Sequence, residues 1–408
     1  MTEKRVRTHN KSGRPDNIVE KENELYLACE DIERELPRFL GDFFVYLRGN
    51  VLPATRLNYL RDIRAFFAYM LEDPDLSKAE TVHEITLEEI RKLTAQDVNL
   101  YLDHCRKYAV RSGEETVIYE NGNKTLARKK SSLSVLFKQL YREGLVPVNI
   151  PDGFDPIRVE KAGDKPIKAL QDDEVMVMLD AVTTGEGLTA HQRAYWEKTK
   201  KRDKAILIFF LTYGLRLSEL QQLNLSSFSQ GRGEFVIFRK RGKESFMPMN
   251  RSVTEVLTDY VENERPLLAA DSPAGEDDAL FLSLQGKRMT GRQIRELVKK
   301  YTAIALRTSQ SSGYSPHKLR ATAATSLIGR GESIYDVAAL LDHQQVTTTQ
   351  LYARQRQGAK RDLVRSMEWE EERREGAPPD PEGERTKAAP PADGQDIQKD
   401  RNNDTEKE

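Results

Sequence analysis

The sequence contains few of the features that mark secreted, metal-binding or membrane proteins. It has two cysteines in 408 residues, Cys29 and Cys105, and neither belongs to a CxxC pair or lies beside clustered histidines. We therefore predict buried thiols, no disulfide framework and no metal site. No apolar run approaches the roughly 18 residues that cross a membrane, and the polar start MTEKRVRTHNKSGR lacks the apolar segment of a signal peptide. We expect a cytoplasmic protein with no membrane partner.

A strong net charge is also missing. The formal charge of the whole chain is −1. Residues 371–408 contain 12 acidic and 7 basic residues, a net charge of −5, so residues 1–370 carry +4. Such a mildly basic chain neither establishes nor excludes a nucleic-acid partner, because local faces decide the electrostatics.

Changes in composition and periodicity divide the chain into five segments. Residues 1–30 are polar and rich in Lys and Arg, which indicates a basic disordered arm. Residues 31–150 have helical patterns and predict a helical domain. Residues 151–168 contain several prolines and predict a linker. A mixed domain is expected over 169–369 and a disordered acidic tail over 370–408.

Amphipathic helices account for most of the first domain. Apolar residues recur at helical spacing from Leu36 to Leu47, and again after Thr55. Thr94 begins a third helix, and Thr125 begins a fourth. Between the last two, TVIYENGN predicts a hairpin insertion over 110–123 with its turn at Asn121-Gly122. Basic residues on these helices are candidate DNA contacts, although solvated surface charge is the alternative: Arg56, Arg61, Arg64, Arg128, Lys129, Lys130 and Lys138.

The second domain contains two candidate sites for contact with an anion such as DNA: an arginine at a helix N-terminus and a hairpin with lysines. A polar, charged insertion is expected over 185–204, before a strongly apolar helix and the segment YGLRLSEL. This segment places Arg216 at a helix N-terminus, where an anion is favoured. The alternation in EFVIFRKRGKESFMPM predicts two strands joined near Arg241-Gly242, with Lys240 ending the first and Lys243 beginning the second. Such a tip, including Arg241, could reach a DNA groove, although lysines also collect at tips for solubility.

The stretch SPHKLRATAATSLIGRGESIYDVAALLDHQQVTTTQLYA has four residues suited to chemistry on a phosphodiester. His317 and Arg320 share one face near a helix start, because residues three apart are neighbours on a helix. His343 follows the end of the next helix. A further capping pattern predicts a short helix that presents Tyr352. Each residue taken alone is more often structural than functional, so their joint occurrence carries the signal.

Taken together, YGLRLSEL, the lysine hairpin, HKLR, LLDH and the tyrosine nine residues after that histidine resemble the tyrosine recombinase (phage integrase) family, particularly its Xer-like and mobile-element members. The resemblance covers roughly residues 30–355. It implies these catalytic positions: Arg216, Lys240, His317, Arg320, His343 and Tyr352. It also implies that Glu219 supports the first arginine. Lys243 remains the alternative to Lys240, because the turn reads KRGK.

The resemblance implies a mainly α fold with a small β-sheet. It predicts an N-terminal helical core-binding (SAM-like) domain and a mixed α/β catalytic domain that together form a clamp around DNA. The implied function is site-specific cleavage and rejoining of DNA through a 3′-phosphotyrosine intermediate and a Holliday junction. The implied partners are double-stranded DNA with specific core sites, further copies of the chain in a tetramer, and an accessory protein or second recombinase. No cofactor is expected.

The residue types suit this chemistry. Attack on a phosphodiester builds negative charge on the non-bridging oxygens, and two guanidinium groups can donate paired hydrogen bonds to them. A tyrosine hydroxyl can serve as the nucleophile, and a lysine can protonate the departing 5′ oxygen. The alternatives are a catalytically silent DNA-binding protein of the same fold and, among enzymes, a type IB topoisomerase.

Overall fold

The computed structural model of this chain describes residues 10–112, 115–160, 167–239, 242–270, 272–273, 275–343 and 349–350. Helices dominate these residues, and the strands form small antiparallel sheets. This is the mainly helical class with little β-sheet that the sequence predicts. Within the described ranges, no helix is both long and apolar enough to cross a membrane.

The N-terminal part of the chain folds into helices around its own apolar core. Its helices are α1 (Asp16–Glu35), α2 (Gly41–Asn50), α3 (Pro53–Leu71), α4 (Leu87–Lys92), α5 (Ala95–His104) and α6 (Asn123–Arg142). Phe66 of α3 packs edge-on against Phe137 of α6, with 6.1 Å between the ring centroids, and both rings are fully buried. Burial of each such side chain stabilises the core by roughly 1.5–3 kcal/mol. The predicted capping box of Thr94 and Asp97 is confirmed at the start of α5.

The predicted disordered arm over residues 1–30 is too long, because helix α1 begins within it. We expected disorder over residues 1–30, but a helix begins at Asp16 and packs on α3. Cys29 and Ile32 of α1 are buried in the N-terminal core. Composition alone predicted disorder because this segment has many charged residues, although a few apolar residues form one buried face. Residues 1–9 of the predicted arm lie outside the described residues.

The predicted hairpin is present, but the predicted turn is wrong. Strand β1 (Lys107–Ser112) pairs antiparallel with β2 (Glu115–Glu120), so Asn121 and Gly122 lie beyond the open end of the hairpin and not at its turn. Asn121 instead donates a hydrogen bond from Nδ2 to the carbonyl oxygen of Cys105 at 2.8 Å, which closes the base of the hairpin. Gly122 directly precedes α6. The charged residues in KYAVRS concealed the first strand.

A second apolar core is built by the helices that follow. They are α7 (Asp172–Thr184), α8 (Ala190–Trp196), α9 (Lys200–Tyr213), α10 (Leu217–Gln221), α11 (Arg251–Asn263), α12 (Arg265–Ala269), α13 (Gly291–Ala305), α14 (Pro316–Gly329) and α15 (Ile334–Leu341). A small antiparallel sheet has the order β3 (Phe228–Ser229), β4 (Glu234–Phe238), β5 (Glu244–Pro248). In β4, Phe235 and Ile237 point into the core, as period-2 alternation requires.

The segment 185–204 is integrated into this core and is not the polar insertion we expected. Trp196 of α8 is buried and donates from Nε1 to the carbonyl oxygen of Val182 at 2.8 Å. Arg202 and Asp203 of α9 are buried as an ion pair at 2.8 Å. Tyr301 also donates its hydroxyl to Asp203 at 2.9 Å. Two of the charges that we expected at the surface, those of Arg202 and Asp203, are therefore neutralised inside the fold.

The predicted linker over 151–168 is shortened at both ends. At its start, Phe154 is buried in the N-terminal core. At its end, Ile167 packs against a small apolar cluster that includes Ala324 of α14. The backbone N–H of Leu170 donates to Thr322 Oγ1 of the same helix at 2.9 Å. Residues 155–160 have no helix or strand, and residues 161–166 lie outside the described residues.

Candidate active site

Arg216 is positioned by a tight turn between α9 and α10. Helix α9 ends at Gly214, which adopts a left-handed φ of +56°. A Cβ atom on Gly214 would lie 2.5 Å from Cδ2 of Leu341, so the turn requires glycine for its conformation and for the close approach of α15. Arg216 then forms the N-terminal boundary of α10, with 35% of its side chain exposed.

Two acidic residues hold the guanidinium group of Arg216. Its Nη1 donates to Glu219 Oε1 at 2.7 Å, and its backbone N–H donates to Glu219 Oε2 at 2.7 Å. Its Nη2 donates to the carbonyl oxygen of Asp342 at 3.0 Å. Burial alone would lower the pKa of Arg216, but Glu219 and Asp342 outweigh it and raise the pKa. The contact predicted between Glu219 and Arg216 is thus present in the structure.

Helix α14 supplies His317 and Arg320. Pro316 occupies its first position, where a missing N–H costs nothing, although Ser315 makes no side-chain capping bond. Arg320 is 4% exposed and donates from Nη1 to the carbonyl oxygen of Gly214 at 2.7 Å. It also donates from Nη2 to the carbonyl oxygen of Leu341. These bonds join α14 to the ends of α9 and α15 and fix Arg320 beside Arg216.

The two histidines are held in their neutral forms. His317 is exposed as a whole residue, but its imidazole is partly desolvated. This desolvation and the nearby charges of Lys318 and Arg320 lower the pKa of His317. Burial, followed by the charges of Arg320 and Arg216, lowers the pKa of His343 to about 4. His343 Nδ1 lies 2.8 Å from the hydroxyl oxygen of Thr349. Both imidazoles are therefore uncharged at neutral pH, although they lie near arginines.

These side chains line one cavity of about 390 Å³. It opens between the turn after α9, the start of α14 and the end of α15. Its lining residues are Leu215, Arg216, Leu217, Arg295, Ser315, Pro316, His317, Arg320 and His343. Residues separated by more than a hundred positions in the chain thus converge on a single concave, positively charged surface.

The lysine hairpin approaches the same place. Lys243 precedes β5 and its Nζ lies 3.8 Å from Asp342 Oδ1, with 73% of its side chain exposed. Lys240 and Arg241 lie outside the described residues, and so does Tyr352. The proposed general acid and nucleophile therefore remain predictions from the sequence.

A buried arginine behind the site was missed in the sequence. Arg239 follows β4 and has a side chain that is 3% exposed. Its Nη1 lies 3.8 Å from Glu219 Oε1, and its Nη2 donates to the carbonyl oxygen of Leu340 at 2.8 Å. Phe235, Ile237 and Arg239 occupy alternate positions, so continuing the period-2 pattern of the strand would have placed Arg239 inward.

Among the candidate DNA contacts on α3, Arg56 was predicted wrongly, because it is buried. Its side chain is 4% exposed, and its Nε donates to Glu33 Oε1 at 2.9 Å. This buried ion pair ties α3 to α1, which contradicts the prediction that Arg56 contacts DNA. Arg64 is 42% exposed and pairs with Glu35 at 2.8 Å, whereas Arg61 lies on the exposed surface.

On α6, part of the basic cluster neutralises a buried carboxylate. Asp62 of α3 is 4% exposed and pairs with Arg128, while Lys129 Nζ lies 3.7 Å from its Oδ1. Lys130 donates to main-chain carbonyls at the end of the N-terminal core. Lys138 is exposed. The sequence showed these charges but not the internal acid that accounts for two of them.

Comparisons with known proteins agree with this geometry. The model of the phage integrase family matches residues 168–358. A tyrosine recombinase XerC from Natranaerobius thermophilus is 30% identical over 318 residues, which is 77% of this chain and 92% of that protein. The tyrosine recombinase XerC from Pelotomaculum thermopropionicum is 28% identical over 323 residues, again 77% of this chain and 92% of that protein.

Solved structures share the fold at lower identity. The Tn1549 transposon integrase in complex with a circular intermediate DNA has a TM-score of 0.52 and 16% identity, covering 83% of this chain and 99% of that chain. The XerH site-specific recombinase bound to palindromic difH substrate has a TM-score of 0.51 and 18% identity, covering 79% of this chain and 82% of that chain. None of these matches favours the catalytically silent alternative. The chain belongs to the phage integrase family and is a tyrosine recombinase, an enzyme that breaks and rejoins DNA at specific sites.

Proposed function

We propose that Arg216 and Arg320 bind the scissile phosphate of a DNA core site while Tyr352 attacks it. The observation that carries this proposal is the convergence of Arg216, His317, Arg320 and His343 on one cavity of about 390 Å³. Tyr352 is two residues beyond the short helical segment 349–350, whose Thr349 contacts His343. The attack breaks the bond from phosphorus to the 5′ oxygen and forms a 3′-phosphotyrosine bond.

The arginines stabilise charge that develops in the transition state. Guanidinium groups stay protonated and donate charge-assisted hydrogen bonds, which are about twice as strong as neutral ones. Arg320 is buried and Arg216 is held by Glu219, so neither has to be reoriented when DNA arrives. Removal of one such preorganised donor costs on the order of a hundredfold or more in rate.

The neutral histidines can exchange protons with the reacting groups. His343 has a pKa of about 4, and the pKa of His317 is also lowered. If Thr349 donates its hydroxyl hydrogen to Nδ1 of His343, the imidazole proton resides on Nε2, the form that can donate to a phosphate oxygen. His317 can accept the proton that leaves the hydroxyl of Tyr352.

A lysine of the hairpin then protonates the departing 5′ oxygen. We assign this role to Lys240, with Lys243 as the alternative. The two can be distinguished by replacing each with alanine and offering DNA whose scissile 5′ oxygen is a sulfur atom. A thiolate leaves without a proton, so the acid variant should cleave the sulfur substrate at nearly the wild-type rate but the oxygen substrate slowly. Equal behaviour of the two variants would overturn the assignment.

The assembly we propose is a clamp in which the helical and catalytic domains hold double-stranded DNA. Phosphate contacts supply affinity and a smaller set of base contacts selects the site. Four chains bound to two duplexes exchange strands through a Holliday junction. An accessory protein or a second recombinase is a further partner, and the reaction takes place in the cytoplasm. The Tn1549 transposon integrase in complex with a circular intermediate DNA and XerH bound to its difH substrate support DNA as the partner. Integration, excision and dimer resolution are all served by this chemistry.

The central test is covalent capture. The protein is incubated with nicked duplexes that have a randomised core, and adducts that survive denaturation in detergent are recovered and sequenced. Wild-type protein should form an adduct on a selected subset of duplexes, and Tyr352→Phe should form none. Arg216→Gln should slow adduct formation about a hundredfold. An adduct with Tyr352→Phe, or none with the wild type, contradicts the proposal.

The selected duplex also tests the assembly. Strand exchange should require two copies of the site, which distinguishes a recombinase from a type IB topoisomerase. Mass measurements on single complexes should show four chains of 46.7 kDa with two duplexes. Complexes that never exceed one chain per duplex would contradict the tetramer.

A further inference from the structure

Asp342 lies against Arg216 in an unusual backbone conformation. It ends α15 with a φ of +51°, a left-handed value that glycine and asparagine adopt more readily than residues with larger side chains. This conformation turns both its main-chain and side-chain oxygens toward the same guanidinium group. Arg216 Nη2 donates to the carbonyl oxygen at 3.0 Å, and Nη1 donates to Oδ2 at 3.3 Å.

Arg216 Nη1 donates to two carboxylates, and its bond to Asp342 is weaker than its bond to Glu219. The bond from Nη1 to Glu219 is 2.7 Å long, and the side chain of Glu219 is 2% exposed. The bond from Nη1 to Asp342 is longer by 0.6 Å, and the side chain of Asp342 is 14% exposed at the cavity. Glu219 is therefore the closer and more buried partner of Arg216, and Asp342 is the more distant and more exposed one.

A second cation lies within reach of the same carboxylate. Lys243 Nζ is 3.8 Å from Asp342 Oδ1, and the lysine side chain is 73% exposed. The carboxylate thus lies between a guanidinium group that lines the cavity and an ammonium group on the hairpin. Because the pair with Lys243 is exposed, its Coulomb attraction is weak until DNA covers it and excludes water.

We propose that Asp342 occupies Arg216 in the DNA-free enzyme and passes to Lys243 when the scissile phosphate arrives. This inference rests on the proposed function. A phosphate oxygen and the Asp342 carboxylate are both negative, so they cannot share one N–H group without repulsion. Displacement of Asp342 therefore opposes phosphate binding, and Lys243 reduces that cost by accepting the displaced carboxylate. Asp342 acts through Arg216 and is a positioning residue.

The substitutions Asp342→Gly and Asp342→Asn separate this role from a structural one. Glycine suits a φ of +51° better than aspartate and keeps the carbonyl contact with Arg216, but removes the carboxylate. Asparagine also tolerates this conformation and keeps the side-chain shape without the charge. Neither change should lower the midpoint of thermal unfolding. If the carboxylate of Asp342 only held the end of α15 against Arg216, Asp342→Gly would lower that midpoint and slow the maximum rate of adduct formation.

The measurement is adduct formation while the full-length enzyme is titrated over a trace of the nicked duplex selected by covalent capture. For both Asp342 variants, the enzyme concentration at half-maximal rate should fall about fivefold, as expected for loss of one competing ion pair. Lys243→Gln should raise that concentration, because the displaced carboxylate has no alternative partner. Any role of Lys243 in the chemical step changes the maximum rate and not this concentration.

The double variant completes the design. Asp342→Gly combined with Lys243→Gln should have the low half-maximal concentration of Asp342→Gly, because the lysine matters only when the carboxylate is present. An unchanged or raised concentration in both Asp342 variants, or independent effects in the double variant, overturns the inference. If the wild type forms no adduct at all, the proposed function fails instead. The two failures are therefore distinguishable.

Discussion

Replacement of Gly214 by alanine should disturb both arginines of the cavity at once. Gly214 accepts the hydrogen bond from Arg320 Nη1 and lies two residues before Arg216. Its φ is +56°, and an added Cβ atom would lie 2.5 Å from Cδ2 of the buried Leu341. The left-handed backbone costs roughly 1–2 kcal/mol for a residue with a Cβ atom. Overpacking against Leu341 adds about 1–3 kcal/mol.

The matched control is Gly331→Ala. Gly331 has a φ of +92°, but no atom lies within 4 Å of the position of its Cβ. This variant therefore has the backbone cost without the steric clash. The free energy of unfolding should fall by about 1–2 kcal/mol in the control and by about 2–5 kcal/mol in Gly214→Ala. Any shift of Leu341 also moves the carbonyl oxygen that accepts a bond from Arg320.

Urea unfolding followed by tryptophan fluorescence measures the difference. The chain has two tryptophans, so a Trp369→Phe background leaves Trp196, which is buried in the second core, as the reporter. Adduct formation should be slowed about a hundredfold in Gly214→Ala, as expected for displaced catalytic groups. It should change far less in Gly331→Ala. Equal losses of stability in the two variants, or cleavage by Gly214→Ala at the wild-type rate, would refute the reasoning.

Further predictions concern charges elsewhere in the fold. The pKa of His343 falls from 6.5 to about 4 on folding, so the unfolded chain binds its proton first and stability is lost as pH falls through that window. Unfolding of His343→Gln should therefore depend less on pH between those values, and an unchanged dependence would contradict this. Arg56→Met should lower the free energy of unfolding by about 2 kcal/mol, because the largely buried carboxylate of Glu33 loses its closest partner and keeps only Arg48 at 3.1 Å. Arg61→Gln should leave the stability unchanged and make DNA binding less dependent on salt. A loss of stability in urea titrations with an unchanged salt dependence would contradict the prediction that Arg61 contacts DNA. Arg239→Met should slow adduct formation by weakening the support of Arg216, whereas a rate like that of the wild type would make Arg239 purely structural.

The four catalytic candidates that line the cavity could be predicted because they occur in short, ordered motifs. Arg216 follows a glycine that ends an apolar helix, and His317 and Arg320 are three residues apart at a helix start. Local periodicity is enough to place such residues at helix ends. Family resemblance then predicts that these ends converge. The order of helices and the position of the β4–β5 hairpin followed from the same patterns.

Several of the errors share a physical cause, which is that charged residues are paired and buried inside the fold. Arg56 looked like a surface contact until folding brought Glu33 of α1 beside it. Arg202 and Asp203 looked like part of a polar insertion, but they neutralise each other inside the second core. Arg239 was not singled out in the sequence, and it is buried against Glu219. A single sequence gives the sign of each charge but not its partner.

The attachment of Leu170 to α14 determines where the connection between the two cores ends. Phe154 is anchored in the first core, while Ile167 and Leu170 are fixed to the helix that carries Arg320. The covalent connection between these two anchor points is therefore the stretch from residue 154 to residue 167, whose fully extended reach would be roughly 45 Å. Since this tether ends on α14 itself, a pull on it acts directly on the helix with a phosphate-binding arginine. In the clamp that we propose, opening and closing around DNA is thus mechanically connected to the alignment of the cleavage site.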